Sequence, residues 1–272
     1  MTKVAFQGER GAFSEDAVIS FFGGGVDLFP CHTISDVFEA VSRDEVKFGV
    51  VPVENSQAGS INETYDLLLS YPLTIFGEVN LRISHCLMAL PGGDLSGIKT
   101  IYSHPQALAQ CEEFFKKIKA ELIPTYDTAG SAKMIKEKGL ADCAAVASGR
   151  AAQIYGLEIL AKGIETNANN YTKFFVISKE KAKMARRNKT SLVFITKNMP
   201  GALYMSLGAF ATRNINLIKL ESRPSKNKPW EYIFYADFEG HIDDGACREA
   251  VEELKQKTTF TKIFGSYPRA ED

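Results

Sequence analysis

The run Phe48-Gly49-Val50-Val51-Pro52-Val53 ends on Glu54-Asn55-Ser56, and the small-residue run at 141–147 ends in the same way on Ser148. Short apolar strands that close on polar residues and pass into helix starts belong to an α/β sheet, whose ligand crevice lies at the carboxyl ends of its strands. This grammar is used twice. The first unit has strand Val4-Ala5-Phe6, a helix through Ala17, Val18 and Phe21 closed by Gly23-Gly24-Gly25, a helix over 35–41 opened by Ser35, and the strand at 48–53. Pro52 puts that strand near its end or at a sheet edge. The second unit begins near Phe76, with strands at 82–89, 100–102 and 141–148 and a helix at 129–138. Phe174-Phe175-Val176-Ile177 then reads as a buried strand returning to the first unit. Two lobes and a cleft follow, with Thr172 at the hinge and Lys173 beside it, a neutral proton donor next to a cation.

Polar residues with more than one use cluster at the strand ends. Gln7-Gly8-Glu9-Arg10-Gly11-Ala12-Phe13-Ser14 is either a tight turn or a cradle in which helix N–H groups meet an anion. Its spacing is not GxGxxG, which excludes a dinucleotide fingerprint. Asn55 and Ser56 serve either a ligand or the cap of a helix through Tyr65, Leu67 and Leu68. Ser103 or His104 before Pro105, with Gln106 after it, is a helix start that leaves His104 with chemistry to spare.

Net charge is −1, with 45% hydrophobic and 24% charged residues, so no basic field is available for nucleic acid. The N-terminus turns polar at Gln7 without a signal-peptide pattern, and no apolar run is long enough for a bilayer; a cytoplasmic protein is expected. Cys31, Cys86, Cys111, Cys143 and Cys247 are scattered and expected as buried thiols, and the histidines lack metal-ligand spacing. A basic run at 179–189 reads as a connection. Beyond it come strand 191–196, helix 201–212, strands 215–222 and 231–238, helix 243–257 and strand 260–266, a βαββαβ ferredoxin-like order. Pro200-Gly201 opens its first helix where N–H groups could take a carboxylate. With no catalytic constellation, this part reads as a sensor.

Gly8-x-x-Gly11-x-x-Ser14, Val51-Pro52-Val53-Glu54-Asn55-Ser56, Ser103-His104-Pro105-Gln106-Ala107-Leu108-x-Gln110-Cys111 and Thr172-Lys173-Phe174 follow the order and spacing of prephenate dehydratases. The chain resembles that family over residues 1–180. Residues 190–272 resemble the ACT regulatory domain, through Gly201-Ala202-Leu203 and Glu221-Ser222-Arg223-Pro224. The resemblance implies a two-lobed catalytic domain like type II periplasmic binding proteins, with lobe one at about 1–76 plus 165–180 and lobe two at about 77–164. It implies conversion of prephenate to phenylpyruvate, water and carbon dioxide without a cofactor. Thr172 would donate the proton and His104 would help resupply it. Ser14, Asn55, Ser56, Gln106 and Phe174 would bind substrate, with Glu54 orienting. Lys173 stands where the family usually has arginine, and is expected to keep the charge with looser orientation. L-Phenylalanine would bind between paired subunits at Gly201, Ala202, Leu203, Asn216, Leu217, Glu221 and Ser222, in a dimer of dimers. Arogenate is the alternative substrate, and a bilobed binding protein without catalysis the alternative class. No mutase segment is expected before Val4.

Overall fold

In a computed structural model, which describes residues 1–225 and 228–270, the first apolar alternation becomes β1 (Thr2–Gln7) and feeds α1 (Phe13–Phe22). There follow β2 (Val26–Cys31), α2 (Ile34–Ser42), β3 (Phe48–Asn55), β4 (Gly59–Ser60), α3 (Asn62–Ser70) and β5 (Thr74–Arg82). Residues 226, 227, 271 and 272, within the expected 190–272 domain, lie outside the described residues. The first sheet runs β2-β1-β3-β11-β5, with β4 beside β3 and β11 (Tyr171–Ser178) as the returning strand. Strand β3 is therefore central rather than at an edge. Pro52 is tolerated because the pairing with β1 ends at Val50, two residues before it. The cap of α2 is Thr33, not Ser35: Thr33 and Asp36 form a reciprocal capping box.

The second sheet runs β10-β6-β9-β7-β8. Its elements are β6 (Cys86–Ala89), β7 (Thr100–Ser103), α4 (Pro105–Gln110), α5 (Glu112–Phe115), β8 (Glu121–Pro124), α6 (Thr128–Lys138), β9 (Cys143–Ala147), α7 (Gly149–Tyr155) and β10 (Glu158–Lys162). The strand expected at 82–89 is broken: Arg82 ends β5, and Cys86 opens β6 in the other sheet. All of β9 is buried. Its alternation sends Ala145 and Ala147 towards Ala129, Ala132 and Ile135 of α6, and Ala144 and Val146 towards Ala107 and Leu108 of α4. Small side chains on both faces let helices approach a central strand, so Ala145→Leu would overpack it by about 1–3 kcal/mol.

The C-terminal elements are β12 (Asn188–Thr196), α8 (Ala202–Ala211), β13 (Leu217–Pro224), β14 (Tyr232–Glu239), α9 (Gly245–Lys257) and β15 (Thr258–Pro268). The antiparallel sheet β13-β14-β12-β15 completes the βαββαβ order. One face buries Leu192, Phe194, Ala236 and Phe238 against Phe210 of α8 and Val251 and Leu254 of α9.

Two compact units result, Met1–Leu67 with Val79–Phe175, and Leu68–Glu78 with Val176–Asp272. Segment 68–78, expected in the first lobe up to residue 76 and in the second beyond it, groups with the C-terminal unit for a physical reason. Lys262 Nζ donates to the Leu68, Leu69 and Tyr71 carbonyls, Thr74 Oγ1 donates to Phe264 O, and Glu78 forms a buried pair with Lys189. All five cysteines are buried and unbridged. Among the described residues no helix is long and apolar enough to cross a membrane.

Candidate active site

Within the first unit a cavity of ≈ 200 Å³ opens where β1, β3, β7 and β8 end, and Gln7, Asn55, His104 and Asp127 from these ends line it. The first turns of α1 and α6 reach it through Phe13, Ser14 and Thr128. Helix α1 has no side-chain cap on Ala12, so its leading N–H groups and their partial positive charge remain directed at the cavity mouth. No lysine or arginine is among the described lining residues. An anion here meets helix ends and neutral donors.

Thr172 lines this cavity and is 8% exposed. The direction of its proton follows from its neighbours. Asn55 Oδ1 accepts the Gln57 and Ala58 N–H groups at 3.1 and 3.0 Å, which forces the Asn55 amide nitrogen towards Thr172. That nitrogen donates to Thr172 Oγ1 at 3.0 Å and to Asn170 Oδ1 at 2.8 Å. Asn170 Nδ2 in turn donates to Gln110 Oε1 at 2.9 Å, and His85 Nε2 lies 2.9 Å from the same oxygen. Gln110 Oε1 is thus an acceptor on both sides, and His85 carries its proton on Nε2. Because Thr172 Oγ1 accepts from Asn55, its own hydrogen is left for the cavity. Every member of the chain has one workable orientation.

The histidines hold distinct positions. His104 is the N-cap of α4, its Nδ1 accepting the Gln106 N–H at 3.2 Å. The helix start therefore uses His104 itself, while Ser103 is buried and donates to Val146 O. With Nδ1 occupied, the neutral ring carries its hydrogen on Nε2. Burial pulls its pKa below the ordinary 6.5, against the opposing pull of Asp127. His85 is held edge-on by Phe13, with its backbone N–H on Glu165 Oε2 at 2.9 Å. Burial lowers its pKa too, opposed by the Gln110 hydrogen bond and Glu165.

Ser14, Asn55, Gln106, Phe174, His104 and Thr172 all line the cavity, whereas Lys173, Ser56 and Glu54 do not. Strand alternation explains Lys173: Thr172 and Phe174 face one side of β11 and Lys173 the other, 3.6 Å from Glu54. Ser56 is a splint for the start of β11, accepting the Tyr171 N–H and donating to Asn169 O. The glycine turn holds anions of the protein's own. Glu9 N–H donates to Asp127 Oδ2 and Gly11 N–H to Glu15 Oε2, both at 2.8 Å. Gly11 has φ +89, and a Cβ there would lie 2.7 Å from the Ala151 backbone, so glycine is required for this turn to dock on α7.

The model of the family described as prephenate dehydratase matches residues 4–182. The chain belongs to the prephenate dehydratase family. Its members are lyases, and this chain is an enzyme of that class. It is 43% identical over 277 residues to arogenate dehydratase/prephenate dehydratase 2 of Arabidopsis thaliana, covering 98% of this chain and 72% of that one. The crystal structure of prephenate dehydratase from Arthrobacter aurescens in complex with L-Phe superimposes with a TM-score of 0.90 at 32% identity, covering 99% of this chain and 90% of that one. A structure described as a novel type of quorum-quenching acylase gives 0.89 at 34% identity, over 98% of each chain.

Within this prephenate dehydratase relative, Gln110, His85 and Asp127 are among the cavity residues that sequence reasoning missed, together with Asn170, which does not line the cavity but joins Asn55 to Gln110. Asn170 carried a readable cue, since it shares the period-2 face of Thr172 and Phe174. Gln110 lay inside a recognised motif, and His85 was passed over because only metal spacing was considered. In the second unit, Gly201, Ala202 and Leu203 line a cavity of ≈ 440 Å³ with Trp230 and Tyr232. Asn216 and Leu217 sit at the opposite end of the sheet, where Glu239 N–H donates to Asn216 O. Glu221 and Ser222 lie on β13, with Glu221 3.2 Å from Lys219. Strand rise puts Leu217 and Ser222 roughly 17 Å apart, and Gly201 stands at the far end of the sheet from Asn216, so one copy does not gather all of these residues around one ligand.

Proposed function

We propose that this enzyme converts prephenate to phenylpyruvate, with Thr172 as the proton donor to the leaving hydroxyl. The position of Thr172 carries the reading: its oxygen accepts from Asn55 and it lines the cavity, so its hydroxyl hydrogen is free to be donated there. As the bond from the ring to its carboxylate breaks and carbon dioxide leaves, the electron pair aromatises the ring and expels the hydroxyl. Thr172 protonates that oxygen, and water departs. A threonine hydroxyl is a weak acid. The Asn55 N–H stabilises the oxygen as it loses its proton, and the Nε2–H of His104 supplies a proton through a water. Such positioned acid catalysis contributes about 10²–10⁴-fold. The substrate carboxylates are held by the leading N–H groups of α1 and by Ser14 and Gln106, and Phe174 bounds the ring. Purified protein incubated with prephenate should form phenylpyruvate, and Thr172→Ala should lower kcat by about 10²-fold or more. Unchanged turnover in Thr172→Ala would remove this role.

Arogenate is the second reading, favoured by one observation. The lining offers no lysine or arginine but does include Asp127 and His85. A substrate with an ammonium group matches that set better than a dianion does. Parallel kcat/KM measurements on the two substrates decide between them.

The βαββαβ part acts as an ACT-type sensor for L-phenylalanine in this reading, through a site shared by two copies. Ile218 and Leu220, on the outer strand β13, are 37% and 44% exposed, an apolar surface suited to a second copy. Phenylalanine feedback requires tighter binding to the less active state. Substrate titrations with and without L-phenylalanine test it, and an unaltered response would end this assignment.

A further inference from the structure

The sheet of the second unit has another hollow, at the end opposite Gly201. It is a cavity of ≈ 440 Å³ lined by His241, Arg248, Lys181, Asp243, Ile242 and Ile263. His241, 5% exposed, lies in the turn between β14 and α9. Its Nδ1 accepts the Asp243 N–H at 3.1 Å, which puts the hydrogen of the neutral ring on Nε2. In the protonated ring Nδ1–H faces Asp243 Oδ2 at 3.4 Å, and Nε2 keeps its hydrogen. In both states Nε2–H is a donor, and among the described residues it is buried without a partner.

The polar groups around it are satisfied. Thr190 gives its hydroxyl hydrogen to Gly240 O, so Ser266 Oγ donates to Thr190 while accepting the Ile242 N–H. The unmatched donor is His241 Nε2, and buried donors are seldom left unmatched. Arg248 spends one guanidinium nitrogen on Asp243 O at 2.9 Å and retains other N–H groups. Lys181 adds a second cation against the single Asp243 carboxylate, while Ile242 and Ile263 supply apolar wall.

We infer that this cavity is a binding site for a small organic carboxylate. Nε2–H of His241 and the Arg248 guanidinium take the carboxylate oxygens, Lys181 closes the charge, and Ile242 and Ile263 contact a short apolar body. Titration calorimetry of the full chain with sodium isobutyrate, and separately with inorganic phosphate, tests it. Isobutyrate should bind one per chain with a dissociation constant on the order of 1 mM. Arg248→Gln and Lys181→Gln, both at exposed positions that put folding at little risk, should each weaken it by about 10-fold, the loss expected for one charge-assisted hydrogen bond. His241→Phe should abolish it. Three outcomes would overturn the inference: no saturable isobutyrate binding, unchanged affinity in Arg248→Gln and Lys181→Gln, or phosphate binding tighter than isobutyrate.

Discussion

In the first unit the polar groups that matter are neutral: Asn55 donates to Thr172 and to Asn170, and Asn170 and His85 both donate to Gln110. In the second unit they are charged. Lys189 is paired with Glu78 and lies 3.4 Å from Asp237, which also accepts from Ser191, beneath a sheet face that exposes almost none of them. Both clusters are enclosed, yet they do different work. A charge pair fixes position and is costly to break, but it leaves the direction of a nearby hydroxyl proton open. A run of amides, each pinned by a backbone N–H or a neighbouring side chain, settles that direction without placing a formal charge beside an anionic ligand.

Four substitutions break or sharpen this contrast. Lys189→Met should have the largest effect, because it leaves Glu78 and Asp237 buried without their cation. A stability loss of about 3–5 kcal/mol in urea unfolding is expected, and a loss below about 1 kcal/mol would mean that the pairing carries no weight. Asn55→Asp preserves shape but puts an acceptor beside Thr172 Oγ1. The hydroxyl should then turn its hydrogen inward, so that kcat falls by about 10²-fold with a much smaller change in KM. Wild-type kcat would show that proton direction is immaterial.

His85 makes a smaller, pH-dependent contribution. Burial sets its folded pKa below the 6.5 of an open histidine, so between those values the unfolded chain holds a proton that the folded chain does not. Stability from this group is therefore complete above 6.5 and is lost as pH falls through the window below it. The wild-type urea midpoint should drop on acidification over that range, and His85→Gln should flatten the slope; parallel curves would place the titration elsewhere. Lys173→Ala is expected to do least. The 3.6 Å pair with Glu54 is part-exposed, so stability should change by about 0–1 kcal/mol and kcat/KM by a small factor. A large kcat/KM loss would return Lys173 to the site.

Much of the architecture was legible because it rests on local periodicity. The strand at 48–53, the return strand at Phe174 and the C-terminal βαββαβ order follow from runs and alternations that a chain carries on its own. Which residues would line the cavity was legible where a residue closes a strand or opens a helix, as with Asn55, His104 and Thr172. Lys173 was expected beside Thr172 because adjacency in sequence stood in for adjacency in space, whereas the same period of two puts neighbours on opposite faces and leaves Lys173 off the cavity lining, next to Glu54. Pro52 misled because a proline rule for edges says nothing about a central strand whose pairing has already ended on one side. The glycine turn could be read either as a tight turn or as a cradle for an outside anion because Asp127, which fills part of it, is distant in sequence.

The amino-acid order by itself determined where strands and helices begin, which strands are buried on both faces, and which residue types stand at their carboxyl ends, since each depends on neighbours within a few residues. Only the tertiary structure decided which way the Thr172 hydrogen points, that the turn at Gly8 to Gly11 is filled by the protein's own carboxylates, and that segment 68–78 belongs with the second unit. Each of those outcomes is set by hydrogen bonds or ion pairs between groups remote along the chain, whose partners exist only once the sheets have assembled.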